Sequence, residues 1–301
     1  MLFRSTLLWK LAAGGVQPYI SEDMIRDMPI PQLAEAKQQE IHKLILEVSN
    51  LRVEANKLLR EAVEYFEKKI GDSKVHLGFQ YGNINSKSLN EFNKRLDSQY
   101  QLLWRDLKRE EKSKITYNKI VNYAKSIFVG GRGKRNYVEK GIAFLSSSEM
   151  MLFNPKRGCK FVSKNNPGLD SMMVNKKDIL ISRSGTVGST VLVGNDLSHT
   201  AISEHALRLV IDENKISPNY VFCFLKTKYG MKSMEASSFG SVIITLNEDL
   251  IGNINMPLLD EDSQKTISDL IESYLSNMDE ATRKENQAID LVEKEIESWQ
   301  Q

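Results

Sequence analysis

Two stretches of this chain repeat each other at a constant offset of 226 residues. GGVQPYISEDMIRDMPIPQLAEAKQQEIHKLILE, from Gly14, aligns with GSVIITLNEDLIGNINMPLLDEDSQKTISDLIES, from Gly240, and no gap is needed between Gly14 and Ile70. Identical pairs include Glu22/Glu248, Asp23/Asp249, Pro31/Pro257, Gln38/Gln264, Ile41/Ile267, Ala55/Ala281, Ala62/Ala288 and Ile70/Ile296. A period this long marks a duplicated unit of domain plus helix, not a solenoid. The chain is therefore expected to hold the end of one unit and nearly all of a second.

Each copy has the same local logic. An extended apolar stretch runs into Pro31 or Pro257, and a proline disfavours helix in the residue before it, so the strand-like part is expected to end there. A long helical pattern follows. In the first copy Ile41, Ile45, Val48, Arg52, Ala55, Leu59, Ala62 and Phe66 step by four and three, and the second copy places Ile267, Ile271, Tyr274, Met278, Ala281, Glu285, Ala288 and Val292 at the same points. This is a heptad-like seam on two helices of roughly 35 to 40 residues, about 50 to 60 Å long. Small and charged seam residues disfavour parallel zippers. Antiparallel packing of the two is the economical arrangement; two unrelated surface helices are the plain alternative.

Between the helices the character changes. Ser88 to Lys112 looks helical, and then come short β-type runs: GIAFL (Gly141–Leu145), DILIS (Asp178–Ser182), TVLV (Thr190–Val193), ALRLVI (Ala206–Ile211) and SVIITL (Ser241–Leu246). A short helix is expected after Pro218, over NYVFCFLKTKYGMKSM, and DENK at Asp212 reads as a hairpin turn. The fold class expected is α+β: a mixed α/β domain with a curved sheet, flanked by two long antiparallel coiled-coil helices. The boundaries are 1–31 for the tail of a first domain, 32–73 for a spacer helix, 74–257 for the complete domain and 258–301 for the second helix.

Charge separates these parts. The total is nearly balanced at +2, but Arg105 to Lys140 holds eleven basic and four acidic residues, whereas Leu258 to Gln301 holds four basic and twelve acidic ones. A basic middle and an acidic end point to two different partners. Cys159 and Cys223, in a chain with only two cysteines, fit reduced thiols in a cytoplasm. The scattered histidines, His42, His76, His199 and His205, lack metal-ligand spacing. No run of 18 apolar residues exists to span a membrane, and MLFRSTLLWKLAAGG imitates a signal peptide but is interrupted by Lys10.

Enzyme motifs fail one by one. Gly185 and Gly188 are too close for a Walker A loop and no GK[ST] follows. FVGGRGK, Phe128 to Lys134, is only loosely like a dinucleotide or S-adenosylmethionine loop, and it lacks the βαβ frame. Asn154-Pro155 runs into Lys156, so there is no base-flipping NPPY motif, and Asp170 with Glu213-Asn214-Lys215 makes only an improvised nuclease. No nucleophile sits beside a general base in a recognisable pattern. A non-catalytic chain is expected.

The set of motifs then carries a family resemblance. RLDSQY (Arg95–Tyr100), GIAFLSSSEM, VNKKDILISRSGTVGSTVLV, SEHALRLVIDENKISPNYVFCFLKT and GSVIITLNEDLIGNINMPLLDEDSQKTI, in that order, resemble the target-recognition domain of DNA-specificity (S) subunits of type I restriction-modification systems. The resemblance covers essentially the whole chain. It implies two recognition domains held apart by two antiparallel helices, each reading half of a split double-stranded DNA site. It also implies methylation (M) subunits that dock on the helices, carry the S-adenosylmethionine and modify adenine, and a restriction/translocation (R) subunit that joins to cut unmodified DNA. No cofactor is expected on this chain, its place is the cytoplasm, and no membrane is involved. Because the first domain is represented only by a tail, the chain looks like an amino-terminally shortened or half-size S subunit, which would restore two-fold architecture by self-association through the long helices or be a gene remnant.

Lysine and arginine supply phosphate affinity, while base edges in the major groove supply sequence. The candidates for phosphate or guanine are Arg132, Lys134, Arg135, Lys156, Arg157, Lys160 and Arg183; Ser147, Asn154, Asn165 and Asn166 are candidate base readers; Ser184 and Thr186 are further candidate DNA contacts. DILISRSGTVGSTVLV reads as two short strands joined by a tight Ser-Gly turn. The rival reading is a coiled-coil scaffold or adaptor whose central domain binds protein.

Overall fold

A computed structural model describes residues 19–28, 30–71, 98–111, 114–184, 187–240 and 245–299. The chain divides into two compact units, Met1–Arg52 with Glu280–Gln301, and Val53–Asp279. In order, the described elements open with α1 (Glu22–Arg26), α2 (Glu35–Ile70) and α3 (Ser98–Glu110). Strands β1 (Thr116–Lys119), β2 (Ala124–Val129), β3 (Tyr137–Val138), β4 (Ile142–Leu145) and β5 (Lys160–Val162) follow. Next come β6 (Ile179–Ser182), β7 (Thr190–Leu192), β8 (Ala201–Ile202) and β9 (Ala206–Ile211). The chain closes with α4 (Pro218–Lys226), α5 (Lys228–Ser237), α6 (Glu248–Gly252), β10 (Asn255–Leu258) and α7 (Glu261–Ser298).

The repeat is reproduced in atomic detail. The helices α1 and α6 start 226 residues apart, and so do α2 and α7. Ser21 and Asn247 are equivalent N-caps, each side chain accepting a hydrogen bond from the backbone N–H three residues on, at 3.3 and 2.9 Å. At the entry to each long helix, Gln38 Nε2 donates to the Leu33 carbonyl and Gln264 Nε2 to the Leu259 carbonyl, both at 2.7 Å. Residues 14–18 of the first copy lie outside the described residues, as do 1–13.

The long helices pack antiparallel. Within the first unit Arg52 meets Glu285 at 2.7 Å and Lys284 meets Glu47 at 2.6 Å. Within the second, Tyr65 Oη lies 3.4 Å from Ser263 Oγ, and Lys69 Nζ 4.0 Å from Asp260. Residue numbers rise along α2 as they fall along α7. The expected seam is buried at Val48, Ala55, Ala62 and Phe66 and at Ile267, Ile271, Ala281 and Ala288. Ile45 departs from it at 44% exposed, because a straight helix drifts from a strict seven-residue repeat. The seam charges Arg52 and Glu285 face each other, which explains charged residues on a packing face.

Among the described residues, the strands of the second unit form three open sheets. β1 pairs with β10; β2, β9, β6 and β7 form an antiparallel sheet in that order; β3, β5, β4 and β8 form another, with β4 and β8 parallel. A register shift between Ala124 and Ser126 bends β2. All four residues of β6 are buried, and alternation explains how. Ile179 and Ile181, with Leu207 and Leu209 of β9, face a core built from α4 and from Ala62 and Phe66 of α2. Leu180 and Ala206 face the other way, into a core with Leu145, Met150 and Val174.

Several expectations are corrected. Pro257 does not end the strand; it lies within β10 opposite Tyr117, where a two-stranded ribbon leaves an edge that needs no donor, and its carbonyl accepts from Tyr220 Oη at 2.8 Å. The segment after Pro218 is two helices, because Thr227 caps a fresh start by accepting from Gly230 N at 3.0 Å. Asp212–Lys215 joins β9 to α4, so it is not a hairpin turn; the Asp212 side chain accepts from Asn214 N at 3.2 Å in a local turn. Four of the expected strands coincide with β4, β6, β7 and β9. Residues 241–244 of SVIITL and 88–97 of the helix-like stretch lie outside the described residues.

Phe66 is fully buried, its ring centroid 5.0 Å from that of Tyr220 and 6.1 Å from that of Phe224. Phe66→Ala is expected to cost about 3–5 kcal/mol in urea unfolding, the usual range for an aromatic core truncation. Lys226 Nζ donates to the Thr190 carbonyl at 2.7 Å, and burial lowers its pKa from 10.5 to about 8. The unfolded chain therefore binds more protons between those two values, and stability from this group rises with pH across that window. Lys226→Met is expected to flatten the rise by about 2–3 kcal/mol, measured as the difference between the two proteins' unfolding free energies at pH 7.5 and pH 10 (~1 kcal/mol precision suffices).

Candidate nucleic-acid interface

The candidate cations sit on loops around β3–β5–β4–β8 and at the ends of β6 and β9. Strand β2 ends at Val129 and the chain passes through GGRGKRN to β3. Arg132 and Lys134 are exposed on this loop and form no ion pair with a described residue. Arg135 is half-buried: its guanidinium pairs with Glu204 and lies 4.7 Å from the Phe144 ring centroid. Lys160, opposite Phe144 in the β4–β5 ladder, sits 5.3 Å from the centroid of Tyr137, which meets Phe144 edge-on at 6.2 Å. Arg135 and Lys160 are thus joined by two aromatic rings, one of which, Tyr137, is 49% exposed. A basic surface interleaved with rings suits a nucleic acid: cations meet phosphate, and an exposed ring offers a face for stacking.

Glu204 ties a second group to the first. Its other oxygen is 3.9 Å from His205 Nε2, and His205 Nδ1 is 3.3 Å from Ser184 Oγ. The Arg183 backbone is held on both sides, its N–H donating to the His205 carbonyl and its carbonyl accepting from Leu246 N, each at 3.0 Å. Arg135, Arg183 and Ser184 therefore come together at one end of the β6–β9 pair. Strand β8 runs parallel to β4 and Ser203 N donates to the Leu145 carbonyl at 2.9 Å, which sets the loop after β4, with half-buried Ser147, beside Glu204.

The other candidates are placed differently. Lys156 pairs with Asp196 at 3.1 Å, Asn154 and Arg157 are half-buried in the same loop, and the Arg157 N–H donates to the Asn154 carbonyl at 3.2 Å. Asn165 is exposed. Asn166 is 4% exposed, its Oδ1 accepting from Asn136 N at 2.8 Å and its Nδ2 donating to the Pro167 carbonyl at 3.0 Å, so its amide shapes the loop. Thr186 and Gly185, on which the expected tight Ser-Gly turn falls, lie outside the described residues.

Tyr137, Glu204 and His205 were not singled out from sequence as parts of this surface, nor was Arg208. Arg208 lies in the middle of β9 and is fully buried. Its guanidinium donates to the carbonyls of Ser171 and Met172, and to that of Ile202 at 3.2 Å, and lies 5.4 Å from the Phe128 ring centroid. A lone arginine inside the apolar run ALRLVI was the available signal. Among the described residues, no three His, Cys, Asp or Glu side chains gather closely enough to hold a metal ion, and no helix is long and apolar enough to cross a membrane. Cys159 and Cys223 are buried free thiols whose pKa values burial raises, so neither is poised as a nucleophile.

Residues 160–291 match a family model described as type I restriction modification DNA specificity domain. The matched segment begins at β5 and ends within α7. It contains β5 to β10 and most of α7, with Lys160, Arg183, Ser184, Glu204, His205 and Arg208. The chain is also similar to the crystal structure of the HsdS subunit from Thermoanaerobacter tengcongensis, at 13% identity and a TM-score of 0.42, covering 95% of this chain and 64% of that one. For the crystal structure of a type I restriction-modification system S subunit from M. genitalium the values are 14%, 0.40, 94% and 65%. A structure described under complex assembly and conformational transition of the type I R-M system gives 14%, 0.44, 94% and 63%. The chain thus spans just under two thirds of the length of each. No curated protein matches it in sequence.

Side-chain exposure separates the two ion pairs that tie down candidate cations, 25% and 14% for Arg135 and Glu204 against 36% and 20% for Lys156 and Asp196. Glu204→Ala, which strands a half-buried guanidinium on an aromatic ring, is expected to lower stability by about 2–3 kcal/mol. Lys156→Ala is expected to cost under ~1 kcal/mol. Chemical unfolding of the two variants measures the contrast.

Proposed function

We propose that this chain is the DNA-specificity subunit of a type I restriction-modification assembly, binding double-stranded DNA and directing adenine methylation and restriction by partner subunits to a split site. The observation that carries the proposal is the specificity-domain match over residues 160–291. The basic loop with Arg132 and Lys134 precedes that segment, but Arg135 is tied to Glu204 inside it. Phosphate contacts would come from Arg132, Lys134, Lys160 and Arg183, with Lys156 and Arg157 on the neighbouring loop. Ser147, Asn154 and Ser184 are the polar groups placed to read base edges.

The chain itself has no catalytic role in this reading. S-adenosylmethionine and the methyl transfer belong to methylation subunits, cleavage to a restriction/translocation subunit, and the site of action is the cytoplasm. The antiparallel pair α2–α7 supplies the docking surface for the methylation subunits and a route for two copies to associate. The specificity-domain match favours this reading over a protein-binding adaptor, which would show no salt-dependent affinity for DNA.

Arg132→Ala and Lys134→Ala are each expected to reduce the slope of log affinity against log salt by about one, uniformly across DNA sequences. In cells, mapping adenine methylation with and without this chain, in the presence of its methylation subunit, is expected to reveal a split motif only when the chain is present. An unchanged methylation map would sink the proposal.

A further inference from the structure

The glycines of FVGGRGK look like a cofactor loop in sequence, and the structure gives them a different purpose. A methyl group added at Gly130 would lie 3.0 Å from the Ser171 carbonyl oxygen and 3.2 Å from Arg208 Nη2. Either approach is tighter than an ordinary side-chain contact, so a side chain at 130 would push the loop or the buried guanidinium by a few tenths of an ångström, and glycine lets the loop pass close over it. One residue on, Gly131 N–H donates to Ser171 Oγ at 3.2 Å, and that hydroxyl donates to the Gly168 carbonyl at 2.7 Å.

Arg208 anchors the other end of this chain of contacts. Alternation along β9 turns Leu207, Leu209 and Ile211 toward the large core and puts Arg208 on the opposite face, between Leu180 and Phe128 in the ladder. A buried guanidinium is tolerable only where acceptors meet it. Here the acceptors are backbone carbonyls from two separate segments, Ser171–Met172 and Ile202. The segment that holds Gly131 is therefore itself fixed by an arginine that cannot leave its acceptors without losing all of them.

We propose that Arg208 and Ser171 are positioning residues that fix the Gly130–Arg135 loop so that Arg132 and Lys134 meet the DNA backbone. Neither touches DNA. They act by setting the loop's path before binding, which removes an ordering cost that a free glycine-rich loop would carry. The proposal rests on the DNA-binding reading above.

The test measures affinity of the purified chain for a random-sequence duplex over a potassium chloride series, with urea unfolding alongside. Ser171→Ala, which removes the Gly131 anchor and leaves the carbonyl clamp in place, is expected to bind several-fold more weakly. Its salt slope is expected to fall by about two, one for each cation no longer held in place, with an unfolding midpoint close to that of the unaltered chain. Gly130→Ala is expected to give the same loss without altering either positioning residue. Arg208→Lys, whose single ammonium cannot reach all three carbonyls, is expected to lose slope and stability together. Unaltered affinity and slope in both Ser171→Ala and Gly130→Ala would overturn the positioning role while leaving DNA binding standing. Absence of salt-dependent binding by the unaltered chain would overturn both.

Discussion

The antiparallel pairing of β6 with β9 is the constraint on which the second unit rests. Both strands are buried on both faces, so their alternate residues serve two cores at once. A one-residue slip of β9 against β6 would send Leu207 and Leu209 to the wrong side and turn Arg208 into the large core. That register also brings Ser182 opposite Ala206, and so places Arg183–Ser184, which follow β6, and Glu204–His205, which precede β9, at one edge. The candidate interface is a by-product of a packing register.

The long helices obey a second constraint, independent of the sheets. Their starts are set by the same short device in both copies, a capped one-turn helix, an extended segment with a proline, and a glutamine folded back on a carbonyl. Along the seam, alanines keep the helices close, and Arg52 with Glu285 meet where a larger apolar pair would otherwise sit. The seam ion pair is only partly exposed.

Much of this was legible in the residues. The repeat located both long helices to within a few residues, and β4, β6, β7 and β9 were readable because each is an apolar run bounded by turn residues. Strands β3 and β8 have two residues each, too few to show any alternation. Thr227 was hidden inside an apolar helical pattern because a capping hydroxyl is invisible until the backbone turns around it. Pro257 misled because the rule against proline in strands assumes a neighbour on both sides, and β10 has one. The cations of the candidate interface were readable as basic loop residues, but their division into exposed ones, such as Arg132, and ones held by a carboxylate, such as Arg135, depends on Glu204, nearly seventy residues away in sequence.

The dryness of the Arg208 clamp has a consequence for how the molecule responds to its ionic surroundings. Mobile ions screen charges that water reaches, over about 8–10 Å at physiological strength, and leave a fully buried guanidinium among carbonyls almost untouched. Arg132 and Lys134 stand in solvent, whereas the scaffold beneath them is held by a cation that solvent cannot reach. A change in salt would then retune the electrostatics of this surface without deforming it, so that the same loop geometry is presented at low and high ionic strength alike.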